Sequence, residues 1–570
     1  MVKSNYEERQ VRLSKKNNEI INRIITKIVS VFFITITAFY PLFLGYRGYF
    51  RIPFDKALFF WITSIIAICT IFFMFISVKG KFDIDNYYID DEPLRRITIA
   101  ELAVLSFTGW TLISAIASVV QNPEWANFGL VSASVWFGAN NRYEGFISFL
   151  GYAICFVLIA RFYKPNRLHL LFVAVSTILV SLYGVLQFFG VDIFSLFHFN
   201  SWIGFDNAGI PYVLYGNLTA PFRTTLGNVN IVSAYCSFMI MLFTVLFSVS
   251  RSKWQYLYLV ASACSFALSL TTGLSGDAHT VAILGSMILL IPYWISNRAR
   301  LGRILIVLSS WCIVYAGYST YISAMKRQYE AGVYFPHHDQ HFLNSHTSIN
   351  IFLILIFAGA LIFIGLTLIL LLKKWPETAM KTVGVICLPA MLISGLIGLE
   401  VMGSRLSDQP DNIIWQAREI IHGRLDDDFG SYRGWIWRNA FEVIPENPIL
   451  GSGPGTFYHA LGTERQAEAE ELYRLRFDKA HNVFLQIAVC MGIPALIAYL
   501  IFLFSVFIPA IKHAFKRPIL LAFGAAALSY IIQSFFMVEL PITTPLLWIA
   551  LGVMASEVWM AKIGYKNIEV

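Results

Sequence analysis

The sequence predicts an all-α, polytopic integral membrane protein of about fourteen transmembrane helices, and three observations predict it. Hydrophobic residues make up 57% of the chain and charged residues only 14%, with a mean hydropathy of +0.63; a soluble domain carries about 25% charged residues. Apolar runs of ~20 residues recur from end to end, each long enough to cross a bilayer as a helix. Lys and Arg are concentrated in every second connection between those runs, as the positive-inside bias requires.

The runs place spans at about 24–46, 57–78, 99–120, 145–162, 168–190, 228–250 and 255–274. They continue at about 278–296, 302–323, 349–372, 382–402, 482–509, 518–538 and 543–561. The first run follows a long polar segment and lacks a small-residue cleavage site, so it reads as a retained helix and not a signal peptide. Lys3, Arg9, Arg12, Lys15, Lys16, Arg23 and Lys27 place the N-terminal segment, 1–23, in the cytoplasm. The same bias holds in the connections "KGK", "RFYKPNR", "RSK", "NRARLGR", "KK" and "KHAFKR". An even number of spans returns the tail, 562–570 with Lys562 and Lys566, to the cytoplasm. The expected organisation is a bundle of about eleven helices over 24–402, an extracytoplasmic cap over 403–481, and about three more helices over 482–561. The cap is long and broken by helix-like stretches, so a folded, mostly helical loop is expected.

The net charge of +8 is what cationic cytoplasmic loops produce, and it gives no reason to invoke nucleic acid. The 7 cysteines all lie in apolar runs without a CxxC pair, which supports neither a disulfide framework nor a metal site. Span interiors are nearly free of Asp, Glu, Lys and Arg, which counts against an ion-coupled transporter. One predicted outside loop, "YFPHHDQHFLNSH", gathers His337, His338, Asp339, His341 and His346. Their spacing matches no standard metal motif, so no metal site is assigned.

The predicted cap is rich in arginine: Arg405, Arg418, Arg424, Arg433, Arg438, Arg465, Arg474 and Arg476 stand against a single lysine, Lys479. A guanidinium offers a planar fork that matches phosphate oxygens, but a helical surface paired with Asp426–Asp428, Glu464, Glu468, Glu470 and Glu471 accounts for most of them. Arg433 differs. In "GSYRGWIWRNAFEVIPENP", Trp437, Ala440, Phe441 and Ile444 recur at helical spacing, with Arg433 one turn before Trp437. Ser431 is the expected cap, and Pro445 with Pro448 the stop. An arginine on a buried face needs a partner, either a carboxylate or a ligand phosphate. The turn "ILGSGPGTF" then supplies Gly451, Gly453 and Gly455, suited to close backbone packing or to presenting amides to an anion. At the seam "LRFDKAHNVFLQIAV", His481 stands where the polar segment meets an apolar span. It is an interfacial anchor or a general base.

Taken together, "YRGWIWRNAFEVIPENPILGSGPGTF" and "AHNVFLQIAVCMGIPALIAYL" resemble the signature half of the O-antigen ligase and O-antigen polymerase superfamily. "NRYEGF", "YGVLQFFGVD" and "RTTLGNVN" fit the same pattern earlier in the chain, so the resemblance runs from about 100 to 555. It implies a multi-pass glycosyltransferase of the bacterial cytoplasmic membrane, with its active site on the extracytoplasmic side. The implied donor is a glycan on undecaprenyl diphosphate, the acceptor a glycan, lipid or protein hydroxyl, and no cofactor is required. By that resemblance Arg433 holds phosphate and His481 is the base. Arg142, Arg223, Tyr432, Trp437, Asn482 and His279 are diphosphate- or substrate-binding candidates. Chain-elongating polymerase, protein O-oligosaccharyltransferase and, from another class, a lipid-linked glycan flippase are the alternatives. The chain departs from the pattern at "TTGLSGDAHTVAIL", which lacks the family's Ser-Arg-Gly arginine and offers Asp277 and His279 instead. It also reads "GNVN" with Val229 in place of proline.

Overall fold

The computed structural model describes residues 20–45, 51–78, 88–89, 92–93, 97–123, 134–139, 142–189, 191, 193, 203–205, 211–213, 222–271, 277–331, 350–371, 374–406 and 413–565. The described residues are predominantly helical. Among the described residues, ten helices are long and apolar enough to cross a membrane, and four more are shorter and apolar. The N-terminal half holds α1 (Ile20–Leu42), α2 (Ile52–Val78), α3 (Ile99–Gln121), α4 (Phe146–Phe162) and α5 (Arg167–Phe188). It continues through α6 (Val229–Val249), α7 (Gln255–Leu270), α8 (Asp277–Leu289), α9 (Ile291–Ile295) and α10 (Arg298–Glu330). Then come α11 (Ile351–Leu370), α12 (Glu377–Ser404), α13 (Ile413–Ile421), α14 (Phe429–Val443), α15 (Phe457–Ala460) and α16 (Gly462–Tyr473). The chain closes with α17 (Val483–Ala514), α18 (Pro518–Ser534) and α19 (Thr544–Lys562). Three short antiparallel hairpins, each two-stranded, are the described sheet.

Helix α6 is the centre of the bundle. Every residue from Ile231 to Ser248 is buried, against α7, α18 and α8. A helix that is apolar all round belongs in such a place. Helix α12 is the opposite case: Gly384 and Gly403 are its buried residues, and it packs on α9 and α13. Its apolar surface faces outward, as lipid-facing surface does.

The predicted span at 278–296 divides at Leu290 into α8 and α9, because Pro292 starts a new turn and cannot continue the old one. Helix α1 carries a π-helical stretch, Thr35–Phe39, and ends at Leu42. There Lys56, 1% exposed, donates to the carbonyls of Tyr40 (2.5 Å) and Pro41 (3.0 Å). The hydropathy reading left Lys56 just outside a span; the structure puts it inside α2, capping the broken end of α1. Glu101, read as a span-end residue, closes a capping box with Thr98 and pairs with Arg161 at 2.9 Å. The predicted tail and N-terminal segment, and the loop with His337, His338, Asp339, His341 and His346, lie largely or wholly outside the described residues.

Candidate functional site

Helix α17 begins at the histidine seam and breaks ten residues later. Gly492 has φ 84°, and Pro494 has no amide hydrogen to give. Ile493 donates instead to the carbonyl of Pro448 at 2.8 Å. The carbonyls of Val489 and Cys490 thereby lose the partners a continuous helix provides. The glycine turn replaces them: Ser452 donates to Val489 at 3.1 Å and Gly453 to Cys490 at 2.7 Å. Gly451 lies so close to the Cys490 backbone that a Cβ would clash. Of the two uses open to "GSGPGTF", the structure shows packing: these two amides are spent on a broken helix.

The turn also meets the segment 134–145. Gly453 packs against Ser118 and Val135, and Gly455 against Gly138 and Glu144. Trp110 and Ser114 of α3 tie the same turn down, donating to the carbonyls of Ile449 (3.1 Å) and Leu450 (2.6 Å). Sequence segments more than 300 residues apart therefore share one wall.

Helix α14 carries Arg433. Gly430, Ser431 and Tyr432 are all left-handed, with φ of 54°, 64° and 69°, so the regular helix starts only after them. Ser431 is thus part of a kink and not the expected cap. The buried stripe is Trp435, Ile436, Asn439, Ala440 and Val443; Phe441, expected on the buried face, is 62% exposed. The left-handed entry rotates the helix away from the register that spacing alone implies. Arg433 Nε donates to the carbonyl of Phe536 at 3.1 Å, and an Nη donates to Gly430. Two carbonyls thus hold the guanidinium plane, one from its own kink and one from the connection 535–543 between α18 and α19. Trp437 packs on Phe429 and Phe536 and donates to the carbonyl of Ala480 at 3.0 Å. Tyr432 packs on Tyr473, with ring centroids 4.5 Å apart.

At the seam, Asn482 caps α17: its side-chain oxygen accepts from the amides of Phe484 (3.0 Å) and Leu485 (3.1 Å). Ala480 donates to Gln486 Oε1 at 2.9 Å. His481 between them is left-handed, with φ 49°, a conformation uncommon for a residue with a side chain. The residue is half-buried, and its Nδ1 is closed to solvent with no hydrogen-bond partner among the described residues.

Two ion pairs clasp this seam to the segment before α4. Arg142 pairs with Asp478 through two contacts, 2.7 Å and 3.2 Å, and Lys479 pairs with Glu144. The second pair is the deeper, with the side chains 2% and 6% exposed. Burial opposes the charge on Asp478, but Arg142 beside it wins and holds the carboxyl below its ordinary range. For Glu144 burial wins, raising the carboxyl despite Lys479. His481 is lowered to about 3, first by burial and then by the positive field of Arg433, with Asp478 opposing and Arg142 and Lys479 adding to it. The imidazole is therefore neutral near pH 7, the state a proton acceptor requires.

The structure thus brings together His481, Arg433, Arg142, Asn482, Trp437 and Tyr432. It leaves His279 on another element, buried in the first turn of α8, which packs on α6 and α18. Arg223 is in a short strand, Phe222–Arg223, paired with Gly227–Asn228; its side chain lies outside the described residues. Sequence reasoning missed Glu144 and Lys479, because no local pattern links residues 335 positions apart.

Fold and site together define a helical polytopic membrane protein with a neutral histidine in a cationic surround at the start of a helix. Residues 348–500 match the family model for O-antigen ligase, which supports placing the chain in the O-antigen ligase and polymerase superfamily. The matched stretch contains Tyr432, Arg433, Trp437, His481 and Asn482, whereas Arg142, Arg223 and His279 lie before it. No curated protein matches the chain.

Proposed function

We propose that this protein is a glycosyltransferase that moves a glycan from a polyprenyl-diphosphate carrier, undecaprenyl diphosphate in a bacterial cytoplasmic membrane, to an acceptor hydroxyl. In this reading the ten long apolar helices and the four shorter ones make fourteen crossings. Both termini are then cytoplasmic, and the His481 seam faces the extracytoplasmic side. The observation that carries the reading is the pairing of a neutral, left-handed His481 with Arg433, both inside the stretch that matches O-antigen ligase.

The acceptor oxygen attacks the anomeric carbon from the face opposite the diphosphate, so the product is inverted. The bond from anomeric carbon to phosphate oxygen breaks, and the electron pair leaves with the diphosphate. Arg433 meets that charge with a guanidinium already fixed in plane, which avoids reorganisation during the reaction. Arg142 is engaged with Asp478, so it contributes positive field and not a vacant fork. Asn482 and Trp437 hold the seam in place, and Tyr432 braces the kink before Arg433. His481 takes the acceptor's proton. Its proton affinity is low while the surround is cationic; a bound diphosphate dianion offsets that field and raises it.

Reconstitution with a lipid-linked oligosaccharide and candidate acceptors, with products resolved by size, tests the proposal. A single shift identifies a ligase or an oligosaccharyltransferase, and a ladder identifies a polymerase. Movement of the lipid-linked glycan between leaflets without transfer identifies a flippase. His481→Ala and Arg433→Ala are each expected to lower transfer at least about 100-fold in folded, membrane-inserted protein. Wild-type transfer by His481→Ala refutes its role as base.

A further inference from the structure

The connection 535–543 forms part of the site wall, and it holds a carboxyl that the reaction above does not use. Phe536 accepts from Arg433 and packs on Trp437, while Phe535 packs on Phe484 beside the seam, with ring centroids 4.5 Å apart. Three residues after Phe536 comes Glu539, 6% exposed, with Oε1 closed to solvent and without a hydrogen-bond partner among the described residues. The charged group that acts on it is Glu144, the partner of Lys479.

Its other neighbours do not offer a compensating cation. Tyr152 of α4, Tyr499 of α17 and Tyr530 of α18 all lie within electrostatic reach of it. The Tyr530 hydroxyl is engaged with Thr543 and Thr544, at 3.3 Å and 3.2 Å. From α1, Tyr40 donates to the carbonyl of Pro541, and from α2, Lys56 is spent on the carbonyls of Tyr40 and Pro41. Arg433 reaches this connection through the Phe536 carbonyl.

Two carboxyls therefore act on each other, and the buried Lys479 is paired with Glu144. With Glu144 ionised, Lys479 charged and Glu539 neutral, the group carries no net charge. Ionising Glu539 adds an uncompensated buried anion, which is costly. Its repulsion falls on Glu144, raises that carboxyl's affinity for a proton and weakens its hold on Lys479. Lys479 is two residues from His481, and Ala480 between them accepts from Trp437.

We propose that Glu539 is a positioning residue of the seam: as a neutral acid it lets Glu144 hold Lys479, and so fixes the turn that presents His481. The inference that this governs transfer rests on the function proposed above; the positioning itself does not. Burial, with Glu144 adding to it, raises the Glu539 carboxyl to about 8, so it is protonated at neutral pH.

The test uses full-length protein in lipid nanodiscs and two readouts that need no substrate. Infrared difference spectra are expected to show a protonated-carboxyl band that disappears near pH 8 and is absent in Glu539→Gln. The second readout is carbethoxylation of His481, followed by peptide mass spectrometry from about pH 6 to about pH 9, a range in which its imidazole is neutral throughout. Relative to the Glu539→Gln variant, wild-type reactivity rises severalfold as Glu539 ionises, while the variant keeps the low-pH pattern. Glu144→Gln is expected to raise His481 reactivity at every pH. A band missing at pH 6, or superimposable reactivity profiles for wild type and both variants, overturns the proposal. Absence of transfer by the wild-type protein in reconstitution, with both readouts as expected, removes the proposed function and leaves the positioning role intact.

Discussion

Two arrays of ion pairs involve the polar segment between Glu400 and Asn482, with nearly the same chemistry and different surroundings. In one, Arg418 contacts Glu400 and Glu419, His422 contacts Glu400, and Arg424 contacts Glu419, at 2.6–2.8 Å, with Glu400, His422 and Arg424 open to solvent and Arg418 and Glu419 partly covered. In the other, Arg142 meets Asp478 and Lys479 meets Glu144 across the seam, and the lysine pair is nearly inaccessible. The first array has more contacts. The second has the greater consequences, because water screens the open contacts of the first and does not reach the Lys479–Glu144 pair. Counting arginines on a polar segment therefore says little until burial is known. Arg438 with Asp427, Arg465 with Glu446 and Arg476 with Glu470 belong with the exposed array. Arg433, held by carbonyls beside the seam, belongs with the buried one.

The comparison can be tested by removing one partner at a time. The largest effect is expected for Lys479→Ala, which strands the Glu144 carboxyl in the interior. A loss of about 3–5 kcal/mol is expected, measured by thermal unfolding in detergent. Replacing both partners with apolar residues should recover much of that loss while leaving His481 less well held. Arg142→Ala is expected to cost about 1.5–3 kcal/mol, since its pair is partly open to water. Arg476→Ala should leave the unfolding midpoint within error, because its pair with Glu470 lies in solvent. If Arg476→Ala destabilises as much as Lys479→Ala, burial is not what separates exposed from buried pairs.

Acid and alkaline limbs sharpen the same contrast. The His481 proton affinity falls on folding, from 6.5 to about 3. Between those pH values the unfolded chain binds the extra proton, so stability falls as pH is lowered through the window. His481→Gln should remove part of that slope. Glu539 has the opposite sign, because its folded value, about 8, lies above its ordinary 4.5. There the folded chain retains the proton, so stability falls as pH rises from 4.5 to 8, and Glu539→Gln should flatten that limb. Thermal midpoints of both variants across pH check the two signs. Exposed pairs such as Arg476 with Glu470 should contribute little to either limb.

The chain's membrane character was legible because hydropathy is a one-dimensional property. A run of apolar residues declares itself whatever it packs against, and the predicted spans correspond to described helices from α1 to α19. Breaks inside a span were not read: hydropathy runs on through Pro292, which divides a predicted span, and through Gly492 with Pro494, which break α17. The Arg433 and His481 motifs stood out because each combines a charged or titratable group with an apolar run. Less was visible at Ser431 and Phe441. Three left-handed residues reset the helix that periodicity had placed, and no spacing rule carries that information.

The sequence by itself determined that this is a helical membrane chain with an arginine-rich polar segment leading into a histidine at a helix start. Only the tertiary structure decided which charges matter. Arg142, Glu144, Asp478 and Lys479 become one clasp because two distant segments are packed together through glycines that allow the backbones to touch. Glu539 looks like an ordinary loop glutamate until burial removes its solvent and places Glu144 beside it. The physical reason is that desolvation depends on everything surrounding a group in space, whereas a sequence records only what precedes and follows it.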